Sequence, residues 1–130
     1  MDNNNSFQNK NTKVLVVDDD VVSRMLLSEI LKDCNMAITI ARNGLEAVEK
    51  VKADSTFDFI LMDLKMPIMN GYEATEAIRG FGYTKPIIAQ TAYASIEDKS
   101  KVNSLGFSAY LSKPISKVRL LDLLQKLLGQ

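Results

Sequence analysis

Short apolar runs alternate along this chain with longer stretches whose apolar residues recur every three or four positions, the strand and helix signatures respectively. Lys13 to Val17 (KVLVV) is too short for a helix and continuously apolar, which predicts a strand buried on both faces. Val21 to Asp33 follows with apolar residues at 22, 26, 27, 30 and 31, a helical spacing. Met36 to Ala41 predicts a second strand. Asn43, with Glu46 three residues on, predicts a capped helix running to about Ala53. Phe57 to Met62 predicts the third strand. It ends in a lone carboxylate, Asp63, and a loop punctuated by Pro67 and Gly71 leads into a helix that stops at Gly80 and Gly82. Pro86 to Gln90 predicts a fourth strand ending at Thr91. Ser95 opens a helix that stops at Gly106, Ser108 to Ser112 predicts a fifth strand, and Ser116 caps a leucine-rich final helix reaching about Leu128.

Strand and helix thus alternate five times, which specifies an α/β domain: an open, mostly parallel sheet with helices on both faces. Right-handed crossovers narrow the topology, and the flavodoxin-like doubly wound order 2-1-3-4-5 fits best. Met1 to Thr12 is polar and Asn-rich and reads as a tail or linker, so the domain is expected to occupy residues 13–130.

In such a sheet the ligand site lies outside the carboxyl ends of the strands, where strands 1 and 3 diverge. Strand 1 ends in Asp18-Asp19-Asp20, strand 3 in Asp63, strand 4 in Thr91 and strand 5 in Ser112-Lys113. Singly, each has an ordinary explanation as a helix cap or strand-end residue. Together they place several carboxylates, one hydroxyl and one lysine on a single rim.

Composition excludes more than it assigns. The 130 residues are 46% hydrophobic and 25% charged, with 16 basic against 16 acidic side chains, so no net charge draws the chain to nucleic acid or to an anionic membrane. No apolar stretch reaches the ~20 residues of a membrane span. Cys34, the single cysteine, has no internal partner; it reads as a small apolar residue near a helix end and suits a reducing compartment. The chain has no histidine, so His-based triads and His metal sites are out, and any phosphohistidine must come from a partner. Crowded carboxylates repel, and a hard divalent cation with oxygen ligands, Mg²⁺ or Mn²⁺, relieves that. With Lys113 to hold a phosphoryl oxygen or the ionised acid, and Thr91 to donate a hydroxyl, the rim reads as a phosphoryl-transfer site with Asp63 as nucleophile.

The stretches VLVVDDD at 14–20, LMDLKMPIMNG at 61–71, PIIAQTAYA at 86–94 and AYLSKPI at 109–115 closely resemble the response-regulator receiver domains of two-component signalling. The resemblance covers residues 13 to 128, and its last two motifs are most similar to receivers of hybrid sensor histidine kinases. It implies that Asp63 is the phosphoacceptor, charged from a histidine kinase or a histidine phosphotransfer domain. Asp18, Asp19, Asp63 and the backbone carbonyl of Lys65 would hold Mg²⁺. Thr91 would bond the phosphoryl group, Lys113 would pair with it across an expected cis Lys113-Pro114 bond, and Tyr110 would turn inward as Thr91 moves. Asp20 is then a rim or helix-cap residue. Lys65 and Tyr93 occupy the two positions that tune the lifetime of the phosphoaspartate. The resemblance further implies cytoplasmic signalling, either standalone or at the cytoplasmic end of a membrane-bound hybrid kinase, and no substrate turnover beyond self-phosphorylation and slow dephosphorylation.

Two helices carry surplus apolar residues. In the first, Leu27, Ile30 and Leu31 share one face, and Val22 and Leu26 lie off its edge. By family analogy Val22 and Leu26 form the partner face; partial exposure is the plainer reading. In the last helix, Val118, Leu120, Leu121, Leu123, Leu124, Leu127 and Leu128 span more than half the circumference, leaving open a dimer or interdomain contact. The competing function is a haloacid-dehalogenase-type phosphatase, in which Asp18 and Asp20 would form the Asp-x-Asp pair. It wants a further acidic pair after the lysine, where only Asp122 stands.

Overall fold

A computed structural model describes residues 12–92, 100–102 and 104–129. Five strands, β1 (Lys13–Val17), β2 (Ala37–Ala41), β3 (Phe59–Asp63), β4 (Ile87–Thr91) and β5 (Ala109–Ser112), form one sheet in the order β2-β1-β3-β4-β5, every neighbouring pair parallel. Helices α1 (Val21–Lys32), α2 (Gly44–Ala53), α3 (Gly71–Gly80) and a final helix (Lys117–Leu128) connect and cover it. Residues 100–102 and 104 are helical and precede Gly106, which takes a positive φ of 92° where that helix is expected to stop. The expected Ser95 cap lies outside the described residues.

The continuous apolar runs follow from burial on both faces. Leu15, Val17, Ile60, Met62, Ile87 and Ala89 point to one side and pack with Ala47, Val48 and Val51 of α2 and Ala74 and Ile78 of α3. Their alternates Val14, Val16, Phe59, Leu61 and Ile88 point to the other, against Leu27, Ile30 and Leu31 of α1 and Leu120 and Leu124 of the final helix. Each such aliphatic side chain removed from water contributes about 1.5–3 kcal/mol. Cys34 is buried in the second layer, as expected.

Side-chain caps fix where the helices begin, and so where the strand-end loops run. Asp20 caps α1 by accepting from the Ser23 amide at 2.9 Å. Ser116 caps the final helix, accepting from Arg119 at 3.3 Å. Asn43 caps α2, but the reciprocal half of its expected capping box goes elsewhere: the Glu46 carboxylate accepts from the Arg42 amide, not from Asn43. The complete box forms at α3, where Asn70 and Glu73 satisfy each other's amides at 2.9 and 3.0 Å.

Two boundaries differ from the sequence expectation. β3 begins at Phe59; just before it the Asp58 amide donates to the Lys13 carbonyl at 2.8 Å, the Asp58 carboxylate accepts from the Lys13 amide at 2.8 Å, and the Phe57 carbonyl accepts from the buried Tyr83 hydroxyl at 2.9 Å. Thr12, expected in the tail, is buried, and its carbonyl accepts from Ala37 at 2.8 Å. The other residues assigned to the tail, 1–11, lie outside the described residues.

Candidate functional site at the carboxyl rim

β1 and β3 end side by side at the point where the chain leaves β1 towards one face and β3 towards the other. The next residue past β1 is Asp18 and the last of β3 is Asp63, and alternation puts both on the α1 side of the sheet. Asp18 is fully buried and Asp63 is 5% exposed, while Asp19 is exposed. One carboxylate oxygen from each of Asp18, Asp19 and Asp63 lies within 4.8 Å of the others.

Lys113, arriving from β5, faces this cluster. Its Nζ is 3.3 Å from Asp18 Oδ2 and 3.4 Å from Asp63 Oδ2. The Lys113-Pro114 peptide is cis, as the family resemblance implies. The backbone carries the arrangement further, since the Lys113 amide donates to the Thr91 carbonyl at 2.8 Å. Thr91, buried, closes β4 opposite Ser112. Tyr110 is half-buried, packs against the α2/α3 layer and is the cross-strand neighbour of Ala89. The Lys65 amide donates to Asp63 Oδ1 at 3.4 Å, and its side chain is exposed. Tyr93 lies outside the described residues.

Electrostatics follow from burial and crowding. Burial pushes the Asp63 carboxyl up to about 6; Lys113 pulls it down and the Asp18 carboxylate pushes it back up. Burial alone would lower Lys113, but Asp63 and Asp18 outweigh it and hold the ammonium above its ordinary value. Asp18 Oδ1 accepts from the Asp20 amide at 2.9 Å; Oδ2 accepts no hydrogen bond from a described group and is met only by the Lys113 ion pair. A buried carboxylate oxygen so served, with two more carboxylates in reach and no nitrogen or sulfur donor among them, suits a small hard dication. The donor set fits the cation expected from the sequence.

The loop after Asp63 is held by close backbone contacts. A Cβ at Gly71 would lie 2.1 Å from the Asp63 carbonyl, and one at Gly44 would lie 2.5 Å from the Met69 carbonyl. The Met69 amide donates to the Pro67 carbonyl at 2.8 Å, closing a γ-turn centred on Ile68 at φ 72°, a conformation strained for a β-branched residue. Ile68 is also 77% exposed. Met66 and Met69 are half-buried against the α2/α3 layer, so they pack the loop.

Asp20 is spent on capping α1, which removes it from an Asp-x-Asp pair, and Asp122 pairs with Lys126 on the exposed side of the final helix. The phosphatase alternative therefore lacks its carboxylates. On α1, Val22 and Leu26 are exposed as expected, and Val21 and Met25 extend the apolar patch. Of the apolar residues of the final helix only Val118 is strongly exposed; Leu121, Leu123, Leu127 and Leu128 are half-buried against the second layer. The sequence reading missed Gln90, buried beside Asp63, and Arg24, whose Nη1 donates to the Asp18 carbonyl at 2.9 Å. A polar residue at an inward strand position was the available signal for Gln90.

A doubly wound parallel sheet carries an acidic, lysine-faced pocket at its switch point, the arrangement of a receiver domain. The sequence profile described as the response regulator receiver domain matches residues 14–125, and the chain belongs to that family. Receiver domains of this family are modules of two-component phosphorelay signalling. The chain is 40% identical to part of hybrid signal transduction histidine kinase B of Dictyostelium discoideum, an alignment covering 79% of this chain and 6% of that one. Among solved structures it is similar to the receiver domain of a Pseudomonas aeruginosa sensor histidine kinase with magnesium coordinated in its active-site cleft (32% identity, TM-score 0.84, 92% of this chain and 99% of that one). It is also similar to the receiver domain of Saccharomyces cerevisiae Ssk1 in complex with the histidine phosphotransfer protein Ypd1 (30% identity, TM-score 0.84, 92% and 90% covered). The chain spans 6–13% of the length of the first hybrid kinases it matches.

Proposed function

We propose that Asp63 accepts a phosphoryl group from a phosphohistidine on a histidine kinase or histidine phosphotransfer protein. The observation that carries this is the convergence of three carboxylates within 4.8 Å of one another under one lysine that is ion-paired to two of them. In the transfer an Asp63 carboxylate oxygen forms the new O–P bond while the N–P bond of the phosphohistidine breaks. The imidazole leaves with the bonding pair. Lys113 holds the charge on the acceptor and then on the transferred group, and the Lys65 amide steadies the other Asp63 oxygen. Asp18, Asp19, Asp63 and the Lys65 carbonyl are suited to hold Mg²⁺ or Mn²⁺, which supplies charge neutralisation for phosphoryl oxygens when bound.

Thr91 donates its hydroxyl to the phosphoryl group and Tyr110 follows it inward, a two-state switch biased by new charge. Lys65 and Tyr93 border the water path and give a phosphoaspartate lasting minutes or longer; decay of label within seconds refutes that. Val22 and Leu26 receive the phosphotransfer helix, and the last helix supplies a dimer or interdomain contact. The chain turns over no external substrate beyond its phosphoryl donor, and the setting is cytoplasmic. No helix among the described residues is long and apolar enough to cross a membrane.

Incubation with acetyl phosphate and Mg²⁺ tests the acceptor assignment. The expected result by intact-mass spectrometry is one alkali-labile phosphoryl group per chain, absent in Asp63→Asn. Turnover of generic phosphate esters, or undiminished labelling of Asp63→Asn, overturns it.

A further inference from the structure

Gln90 ends the inward face of β4 with a carboxamide where Ile88, two residues earlier on that face, is aliphatic. It is 1% exposed and in register is the β4 neighbour of Asp63, so the two side chains share the α1 side of the sheet. β3 separates β4 from β1, yet Gln90 Nε2 donates to the Val17 carbonyl at 3.4 Å. The carboxamide therefore passes across β3, beside Asp63, to the peptide that leads into Asp18. Its orientation is set by that contact, because turning it over would bring two oxygens together.

Gln90 Oε1 accepts no hydrogen bond from any described protein group. A buried carbonyl without a donor is destabilising, and an aliphatic chain of similar length would avoid that. The nearby donor is Lys113. Both residues line a cavity of about 140 Å³ between α1 and the Lys113-Pro114 turn, with Ser23, Val22 and Leu26. An ammonium has three protons, and the Asp18 and Asp63 oxygens account for two. The cavity walls are mainly apolar, and Gln90, Lys113 and Ser23 supply the polar partners that an ordered water in a space of this size needs.

We propose that Gln90 is a positioning residue of this site. Its N–H fixes the Val17–Asp18 peptide, and its Oε1 takes the third Lys113 proton through water in the cavity. The two groups that face Asp63 are thereby oriented by one side chain. This rests on the reading of Asp63 as the acceptor.

Gln90→Met in the full chain keeps the length and removes both polar functions. Three measurements compare it with the unsubstituted protein: the urea midpoint, the initial rate of labelling by acetyl phosphate with Mg²⁺, and the solvent exchange of the Lys113 ammonium protons by ¹⁵N NMR. The expected result is an equal or lower midpoint, because the Val17 carbonyl loses a donor, with labelling slower by about tenfold and Lys113 exchange several-fold faster. A lower midpoint with unchanged Lys113 exchange marks Gln90 as a packing residue only and overturns the proposal, as does unchanged labelling with unchanged exchange. If the unsubstituted protein takes no phosphoryl group, the acceptor reading fails by itself, and the Lys113 exchange comparison still decides the role of Gln90.

Discussion

Asp63 lies almost wholly out of water beside a second carboxylate, and Asp63→Asn removes its titration while keeping its shape. Burial carries its carboxyl from the ordinary 3.8 up to about 6. The folded protein then holds a proton that the unfolded chain has already released, so the stabilisation is fully present below about pH 4 and is lost as pH rises through 6. The difference between 3.8 and about 6 amounts to ~3 kcal/mol. Part of a small domain's whole margin of about 5–15 kcal/mol is thus given up at neutral pH to keep this acid ionised. Urea unfolding in EDTA, at steps from pH 4 to 7.5, measures the effect as the stability of Asp63→Asn minus that of the unsubstituted protein, with the slope m held common. The difference should grow by up to ~3 kcal/mol across that range and then stay flat. Mg²⁺ at pH 7.5 should recover stability in the unsubstituted protein and much less in the variant. A difference independent of pH, or one that shrinks as pH rises, refutes the account of a buried, crowded carboxylate.

Other substitutions test the scaffold around the site. Gly71→Ala forces a Cβ into the Asp63 carbonyl and should lower stability by about 2–3 kcal/mol and cut labelling by acetyl phosphate, read by urea midpoint and intact mass. Ile68→Asn replaces a β-branched residue at positive φ with one that tolerates it and gives up little burial; the urea midpoint should rise, by about 1 kcal/mol. Tyr83→Phe leaves the buried Phe57 carbonyl without its donor and should lower stability by about 1–2 kcal/mol, with labelling unaffected.

The sheet order and the convergence of Asp18, Asp63 and Lys113 were legible because β1 and β3 announce their carboxyl ends by an abrupt change from apolar to polar. What escaped reading depends on partners distant in sequence. Phe57 and Asp58, which precede β3, bond to Tyr83 and Lys13, and neither partner is written near residue 57. Gln90 looks like an ordinary strand-end polar residue until the sheet places it beside Asp63 and opposite Val17. Ile68 runs against its own conformational preference, so local propensity points away from the turn it makes. Half of the box expected at Asn43 is missing, since the Glu46 carboxylate accepts from the Arg42 amide instead.

The bond from the Lys113 amide to the Thr91 carbonyl has a consequence for how such a module can diverge. It joins Lys113 to the hydroxyl-bearing Thr91 through main chain alone, so no replacement short of proline at Lys113 removes it. An alanine scan passes over this link in silence, whereas an amide-to-ester exchange at Lys113 cuts it while leaving every side chain in place. The link between the two strands is therefore carried by the main chain and stands whatever side chains surround it.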